Sequence, residues 1–321
     1  MLEPRQSGES AAKPVVSVVI VSDYAGGEAK AWDDVRATLE AFARQDFGGE
    51  AEFLLSESSK LKSDIPAELR TILPTLKLIF SEPSTSYDLK NQGVQAAAAD
   101  FVAIIDADCI PDSGWLRHLV ETLRGNPDAV AVSGRTVYEG RSLLERLLSL
   151  LSRSYLDPGR AGATRFISNN NAGYRRSMYL KYPLPTGSGA FAARLQSDAI
   201  SRAGGKLLFE PRMRVVHDFE GWAMERDIRR NIGYGTIITR LRERLLPFAW
   251  LTRLGPASIP LFTAGKTLNS WADCLRCARH YGVRWYELPF ALALAVVVNL
   301  MEISGMVRAF RGSELERTAY R

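Results

Sequence analysis

Cysteine and histidine are scarce in this chain of 321 residues, with three of each. Cys109, Cys274 and Cys277 are too few for a disulfide framework and suit a reducing compartment. Cys274, Cys277 and His280 form a C-x2-C-x2-H run, but no second ligand pair lies nearby. Residues three apart share a helix face, so packing thiols explain the run better than zinc. Internal repeats and low-complexity tracts are also missing, which removes solenoids and disordered linkers from consideration. The first dozen residues, MLEPRQSGESAA, lack the apolar core of a signal peptide, which predicts a cytoplasmic chain.

What is present fits a folded α/β protein with room for an extra element of about a hundred residues. Hydrophobic residues make up 46% and charged residues 24%. The net charge of +5 is less informative than its placement. Between Glu225 and Leu254 seven arginines face three acids, a local balance of +4. No aromatic stacking platform is interleaved with them, so nucleic acid is not expected as a partner. An apolar region follows, which points to an anionic lipid surface; a solvated basic helix face would give the same pattern.

Hydrophobic periodicity orders the first half of the chain. Pro14 to Ser22 reads as a buried parallel strand, Trp32 to Gln45 as a helix, and Glu52 to Leu55 as a second strand. Leu76 to Phe80 is a third strand, Tyr87 to Ala99 a helix, and Phe101 to Ile105 a fourth strand. The alternation predicts a doubly wound, mostly parallel sheet with helices on both faces. Beyond it, Ser113 to Leu123 reads as a helix, Ala129 to Ser133 as a strand, and Leu143 to Leu151 as an amphipathic helix. Ile167 to Tyr182 suggests a strand, a loop and a helix; Leu195 to Ala203 is a helix, and Lys206 to His217 holds a strand pair around Pro211. These signals divide the chain into an N-terminal segment (1–13), a main domain (14–226) and a basic, apolar helical region (227–321). Within the last, LPFALALAVVVNLM (288–301) is shorter than the roughly twenty residues a span needs. An interfacial helix, a tilted span reaching Val307 and a buried packing helix all fit it. Membrane contact is favoured because Leu245 to Phe262 is a second apolar stretch beside the arginines.

The run FVAIIDADCIPD carries the clearest chemistry. Five apolar residues deliver Asp106 and Asp108 to the carboxyl end of a strand, the edge where open α/β sheets bind ligands. Acids one residue apart on a tight turn repel each other, and a hard divalent cation relieves that repulsion while bridging diphosphate oxygens. A D-x-D alone also fits a solvated acidic turn.

Taken together, SVVIVSDY, EFLLSES, YDLKNQGVQAAAADFVAIIDADCIPDSGW and NNAGYRRS resemble family-2 glycosyltransferases from about Val15 to Arg240. The resemblance implies a GT-A, Rossmann-like fold with a helical, apolar C-terminal extension. It implies a metal-dependent, inverting glycosyltransferase that uses a nucleotide-sugar donor, a divalent cation (Mn or Mg) and a glycan or lipid-linked acceptor. The expected place is the cytoplasm, peripheral or integral at the inner face of the cell membrane. Donor-site positions carry over to Ser22 and Asp23, to Glu57 (where the family usually has aspartate), and to Lys90, Asn91, Asp106 and Asp108. The metal set carries over to Asp108, Asp106 and His217. Asn171, Tyr174, Arg175 and Arg176 match the segment beneath acceptor and diphosphate. The family's Glu-Asp pair, which supplies the catalytic base, is absent from GAFAARLQSDAISRAGG. Asp198 is the sole carboxylate between Pro158 and Phe209 and is the expected base, with Asp218 and Glu220 in reserve.

The missing pair also motivates a second reading, a catalytically silent relative that binds nucleotide sugar as a scaffold or sensor. A sugar nucleotidyltransferase would need a basic, glycine-rich loop where SDYAGGEAK stands. A processive synthase would need several spans and a Q-x-x-R-W step where MERDIRRNIGYG stands.

Overall fold

The computed structural model describes residues 13–22, 29–82, 85–140, 142–186, 191–217, 219 and 221–313. In chain order its strands are β1 (Val16–Val21), β2 (Ala51–Ser58), β3 (Leu76–Ser81), β4 (Phe101–Asp106), β5 (Cys109–Pro111), β6 (Ala129–Tyr138), β7 (Gly162–Ala163), β8 (Asn171–Arg175) and β9 (Lys206–His217). The helices of the main body are α1 (Ala29–Ala43), α2 (Leu69–Ile72), α3 (Ser86–Ala96), α4 (Trp115–Gly125), α5 (Leu143–Arg153), α6 (Arg176–Lys181) and α7 (Ala192–Arg202). They are followed by α8 (Trp222–Arg242), α9 (Ile259–Cys277), α10 (Leu288–Met301) and α11 (Ile303–Phe310).

The sheet runs β3-β2-β1-β4-β8-β6-β9-β5, with β7 paired to β9. Its first four strands are parallel. From β8 onward it is mixed: β8 lies antiparallel to both β4 and β6, while β6 and β9 run parallel. β1 is buried along its whole length because both faces are covered. Val16, Val18 and Ile20 meet Val35, Leu39 and Phe42 of α1 and Trp115 of α4. Val19 and Val21 face the opposite cluster, with Leu89 and Val94 of α3 and Ile200 of α7. The two-residue strand period thus sorts one sequence run into two cores.

Two elements differ from the sequence expectation. Cys109–Pro111, to which the sequence assigned no element, is an edge strand paired antiparallel to β9, with Cys109 opposite His217. Lys206 to His217 is one strand with a bulge and not a strand pair, since its register on β6 jumps from Gly134↔Glu210 to Arg135↔Arg214. Pro211 has no N–H to give the ladder, and the Glu210 carboxylate takes the Arg212 N–H (3.0 Å) and guanidinium (2.9 Å) instead. The chain bulges there and resumes in the same direction.

The C-terminal helices pack on the main body. Cys274 and Cys277 of α9 and Ala291, Ala295 and Val298 of α10 pack with Leu147, Leu148, Leu150 and Leu151 of α5. Burial pushes the Cys274 thiol up to about 12, as befits a packing side chain and not a metal ligand. A buried polar network ties the helices together. Glu225 accepts from Arg229 (2.7 Å) and Ser152 (2.9 Å), and Glu302 pairs with Arg229 (3.8 Å) and Lys266 (2.5 Å). α8 and α11 touch through glycines. A Cβ on Gly305 would lie 1.9 Å from the Arg230 carbonyl oxygen, and one on Gly233 would lie 2.0 Å from that of Glu302.

Gly305→Ala is therefore expected to force α11 off α8 and cost about 1–3 kcal/mol. Gly265→Ala, on α9 with open space around the added methyl, should instead stabilise by about 0.5–1 kcal/mol. Thermal unfolding of the two variants against the parent checks both signs.

Candidate active site

The carboxyl ends of β1, β2 and β4 converge beside the start of β5. β4 carries Asp106 to its last position, opposite Val21 of β1. The Ala107 N–H then donates to the Val21 carbonyl (2.9 Å), which turns the chain into Asp108. Thr38, fully buried on α1, donates to the carbonyls of Ala107 (2.7 Å) and Cys109 (3.2 Å), pinning the turn from below.

The two acids have different partners. Asp106 Oδ1 lies 2.6 Å from Lys90 Nζ, and both side chains are largely buried. Lys90 reaches it because α3 sits close to β1: a Cβ on Gly93, three residues along, would lie 2.3 Å from Val19 Cγ1. Asp108 Oδ2 lies 3.1 Å from His217 Nε2, which β9 presents opposite Cys109. The His217 ring meets Tyr138 of β6 edge-on at 5.7 Å. Asp108 Oδ1 is buried and has no hydrogen-bond partner among the described residues. A buried carboxylate oxygen left without a donor fits a cation ligand.

Asp108, Cys109 and His217 place one ligand atom each within 4.8 Å of one another. Cys109 is the weakest of the three as a ligand. Burial pushes its thiol well above the usual value, and the Asp108 and Asp106 charges push the same way. It receives a long hydrogen bond from Asn170 Nδ2 (3.7 Å). A carboxylate and an imidazole are the better pair for a divalent ion of the Mg or Mn type. Asp106, expected in the metal set, is paired with Lys90 and lies outside this cluster.

Ser22 and Glu57 stand at the same end of the sheet. The Glu57 carboxylate is buried and accepts the backbone N–H groups of Ser22 and Ser58, each at 3.2 Å. It fixes the exits of β1 and β2 relative to each other. The Ser22 hydroxyl, at the mouth of β1, is buried without a hydrogen-bond partner among the described residues. Asp23, Asp218 and Glu220 lie outside the described residues.

Four predicted positions are not brought to this cluster. Asn91 is next to Lys90, but its amide is spent on Leu184 O (2.9 Å), Leu184 N (3.1 Å) and Tyr179 OH (3.0 Å). Asn171 is a core residue whose Oδ1 accepts Trp115 Nε1–H (2.8 Å) and whose Nδ2 donates to Met213 O (3.0 Å). Arg175 and Arg176 sit at the opposite end of the sheet, since antiparallel pairing sets Arg175 across from Phe101. Their guanidinium groups cap backbone carbonyls, Leu123 and Ala129 for Arg175 and Val94 and Gln95 for Arg176. Five residue steps lead from Phe101 to Asp106, about 17 Å at the usual rise, which is too far for either arginine to share a diphosphate with the acids. Asp198, on α7, is held by Arg194 Nε at 3.0 Å.

Thr38 was readable but missed. It falls among Val35, Leu39 and Phe42 on the apolar stripe of α1, and a threonine on such a stripe needs a buried acceptor.

Residues 28–182 match the model of Glycosyl transferase family 2. A glucosyl-dolichyl phosphate glucuronosyltransferase of Haloferax volcanii is 42% identical over 48 residues, a stretch that spans 15% of this chain and 15% of that relative. A mannosyltransferase of Pyrobaculum calidifontis, solved in complex with GDP-Man and Mn2+, has a TM-score of 0.60 at 18% identity, over 95% of this chain and 89% of that one. GalNAc-T7, solved with UDP, GalNAc and Mn2+, has a TM-score of 0.50 at 15% identity, over 70% and 51%. At these identities the two structures establish a shared GT-A fold.

Asn171→Ala is expected to strand the Trp115 N–H and the Met213 carbonyl, lowering stability by roughly 2–4 kcal/mol. Stabilisation by added nucleoside diphosphate, read by thermal shift, should persist. An unshifted melting temperature with loss of that stabilisation would return Asn171 to the diphosphate site.

Proposed function

We propose, from the premise that residues 28–182 make this chain a glycosyl transferase family 2 enzyme, that it moves a sugar from a nucleotide-sugar donor to a lipid-linked or polysaccharide acceptor with inversion. The observation that carries the reading is the division of labour between the two strand-end acids. Lys90 compensates Asp106, and Asp108 keeps a buried oxygen free beside His217. Asp108 and His217 would hold a divalent cation, whose charge offsets that of the departing diphosphate. The Ser22 hydroxyl and the Asp106–Lys90 pair line the strand exits where the nucleoside would lie.

Inversion requires the acceptor oxygen to bond to the anomeric carbon as the bond from that carbon to the diphosphate oxygen breaks. The hydroxyl proton passes to a carboxylate. Asp198 is the candidate base, and Arg194 has to release its carboxylate for that role, because the oxygen held at 3.0 Å by the guanidinium is the one that would meet the acceptor hydroxyl. On this reading the acceptor is membrane-borne and the reaction runs at the inner face of the cell membrane. The three free buried thiols and the apolar C-terminal helices support that placement.

With Mn2+ or Mg2+ present, the protein should slowly hydrolyse one of the common nucleotide sugars. Asp108→Ala should abolish hydrolysis while circular dichroism stays unchanged. If no nucleoside diphosphate stabilises the protein thermally in the presence of either metal, the donor site is wrongly assigned.

Asp198→Asn separates an enzyme from a silent relative. Loss of turnover with donor binding retained identifies the base. Unchanged turnover removes Asp198 from that role, and a parent protein that binds donor without any turnover supports the scaffold or sensor.

A further inference from the structure

The α9–α10 pair shows two unlike faces. Its inner face is packed along its length on the main body, through Cys274, Cys277, Ala291, Ala295 and Val298. Its outer face exposes Leu261, Leu268 and Leu275 at seven-residue spacing on α9, and Phe290, Val297 and Leu300 on α10. Leu268 and Leu275 are 61% and 66% exposed. Between the helices lies an open, almost wholly apolar groove of about 730 Å³, with Trp271 and Val296 in its walls. An apolar surface this continuous marks an interaction face.

Its rim identifies the partner. The segment that leads into α9 exposes Phe248 and Trp250 together with Arg242, Arg244 and Arg253. None of these three arginines forms an ion pair among the described residues. At the other end, Trp285 and Tyr286 are exposed beside Arg279 and Arg284. Aromatic rings and unpaired arginines bordering an apolar face suit the headgroup layer of an anionic leaflet. A second copy of the chain would bring the same unpaired arginines together.

The residues Trp285–Phe310 are long and apolar enough to cross a bilayer. Their packing opposes a crossing. Glu302, about two thirds of the way along them, is 1% exposed and paired with Arg229 and Lys266, and Gly305 abuts the α8 backbone. Spanning would drag this charged network and the attached domain into hydrocarbon, or strip the network of its partners.

We propose that the C-terminal helices dock in the plane of an anionic bilayer leaflet, with the outer face of α9 and α10 at the acyl boundary and the flanking arginines among the headgroups. This stands apart from the donor-site assignment and fails or survives separately from it. Tyr138, which meets the His217 ring, belongs to the same packed cluster as Ala291 and Ala295. One layer of side chains thus joins the docking face to the candidate metal site.

The full chain should float with vesicles of phosphatidylcholine and phosphatidylglycerol, and far less with phosphatidylcholine alone or at high salt. Leu268→Glu combined with Leu275→Glu should lose flotation while keeping the parent's melting temperature and nucleotide stabilisation. Arg242→Glu with Arg253→Glu should lose the preference for phosphatidylglycerol. Orientation is read with Arg279→Cys and Arg311→Cys, which flank Trp285–Phe310, because the native thiols are buried. A membrane-impermeant maleimide added outside the vesicles should label both positions. Protection of one end would mean a spanning arrangement and overturn the proposal. So would a chain that ignores both vesicle types, including one that forms a stable dimer in buffer which the leucine variant dissociates.

Discussion

The arrangement rests on how two carboxylates at the end of one buried strand are partnered. Asp106 and Asp108 leave β4 within a single turn, which brings two like charges close together. Lys90 answers the first at 2.6 Å. The second has His217 on one oxygen, and the other has no hydrogen-bond partner among the described residues. Each compensation depends on a distant part of the chain. Lys90 needs α3 pressed onto β1 at Gly93, and His217 needs β9 carried past its bulge to pair with Cys109. The turn between the acids is fixed in turn by Thr38 and by Val21. The sheet order brings these parts of the chain to one edge, and the chemistry follows from it.

The parallel half of the sheet was legible because its strands are buried on both faces and read as unbroken apolar runs. The D-x-D turn was legible for the same reason: an apolar run that ends in acids at a strand exit has few alternatives. Strand direction was not legible. Period two says which residues share a face and nothing about which way the strand points. NAGYRR was placed whole beside the diphosphate on resemblance, yet antiparallel pairing brings its asparagine to the acid end and sends its arginines to the other. The buried Asn171 then serves Trp115 and Met213, partners more than forty residues away that no local pattern announces. β5 was missed because three residues carry no period at all.

The run of asparagines shows how a polar segment can be structural at the border of a site. Asn169 accepts the Tyr174 hydroxyl at 2.7 Å, and Asn170 accepts from Ser168 at 2.6 Å while its amide points at Cys109. Burial pushes the Tyr174 hydroxyl up, so it stays a donor to this network. Such closed amide chains fix backbone position without offering spare groups to a ligand. The groups at this edge without a hydrogen-bond partner among the described residues are instead the Ser22 hydroxyl and Asp108 Oδ1.

Surface and site also share a frame. Phe191, just before α7, fits against Gly235 of α8, where a Cβ would lie 2.2 Å from its ring. α8 in turn is bound to α11 by Gly233, Gly305 and the Glu302 network. The helix that carries Asp198 therefore rests on the helix that anchors the apolar C-terminal pair. Packed interfaces of this closeness move as units and do not deform smoothly. The Arg194–Asp198 pair is partly exposed and lies within the single helix α7, unlike the buried Lys90–Asp106 contact, which ties α3 to β4.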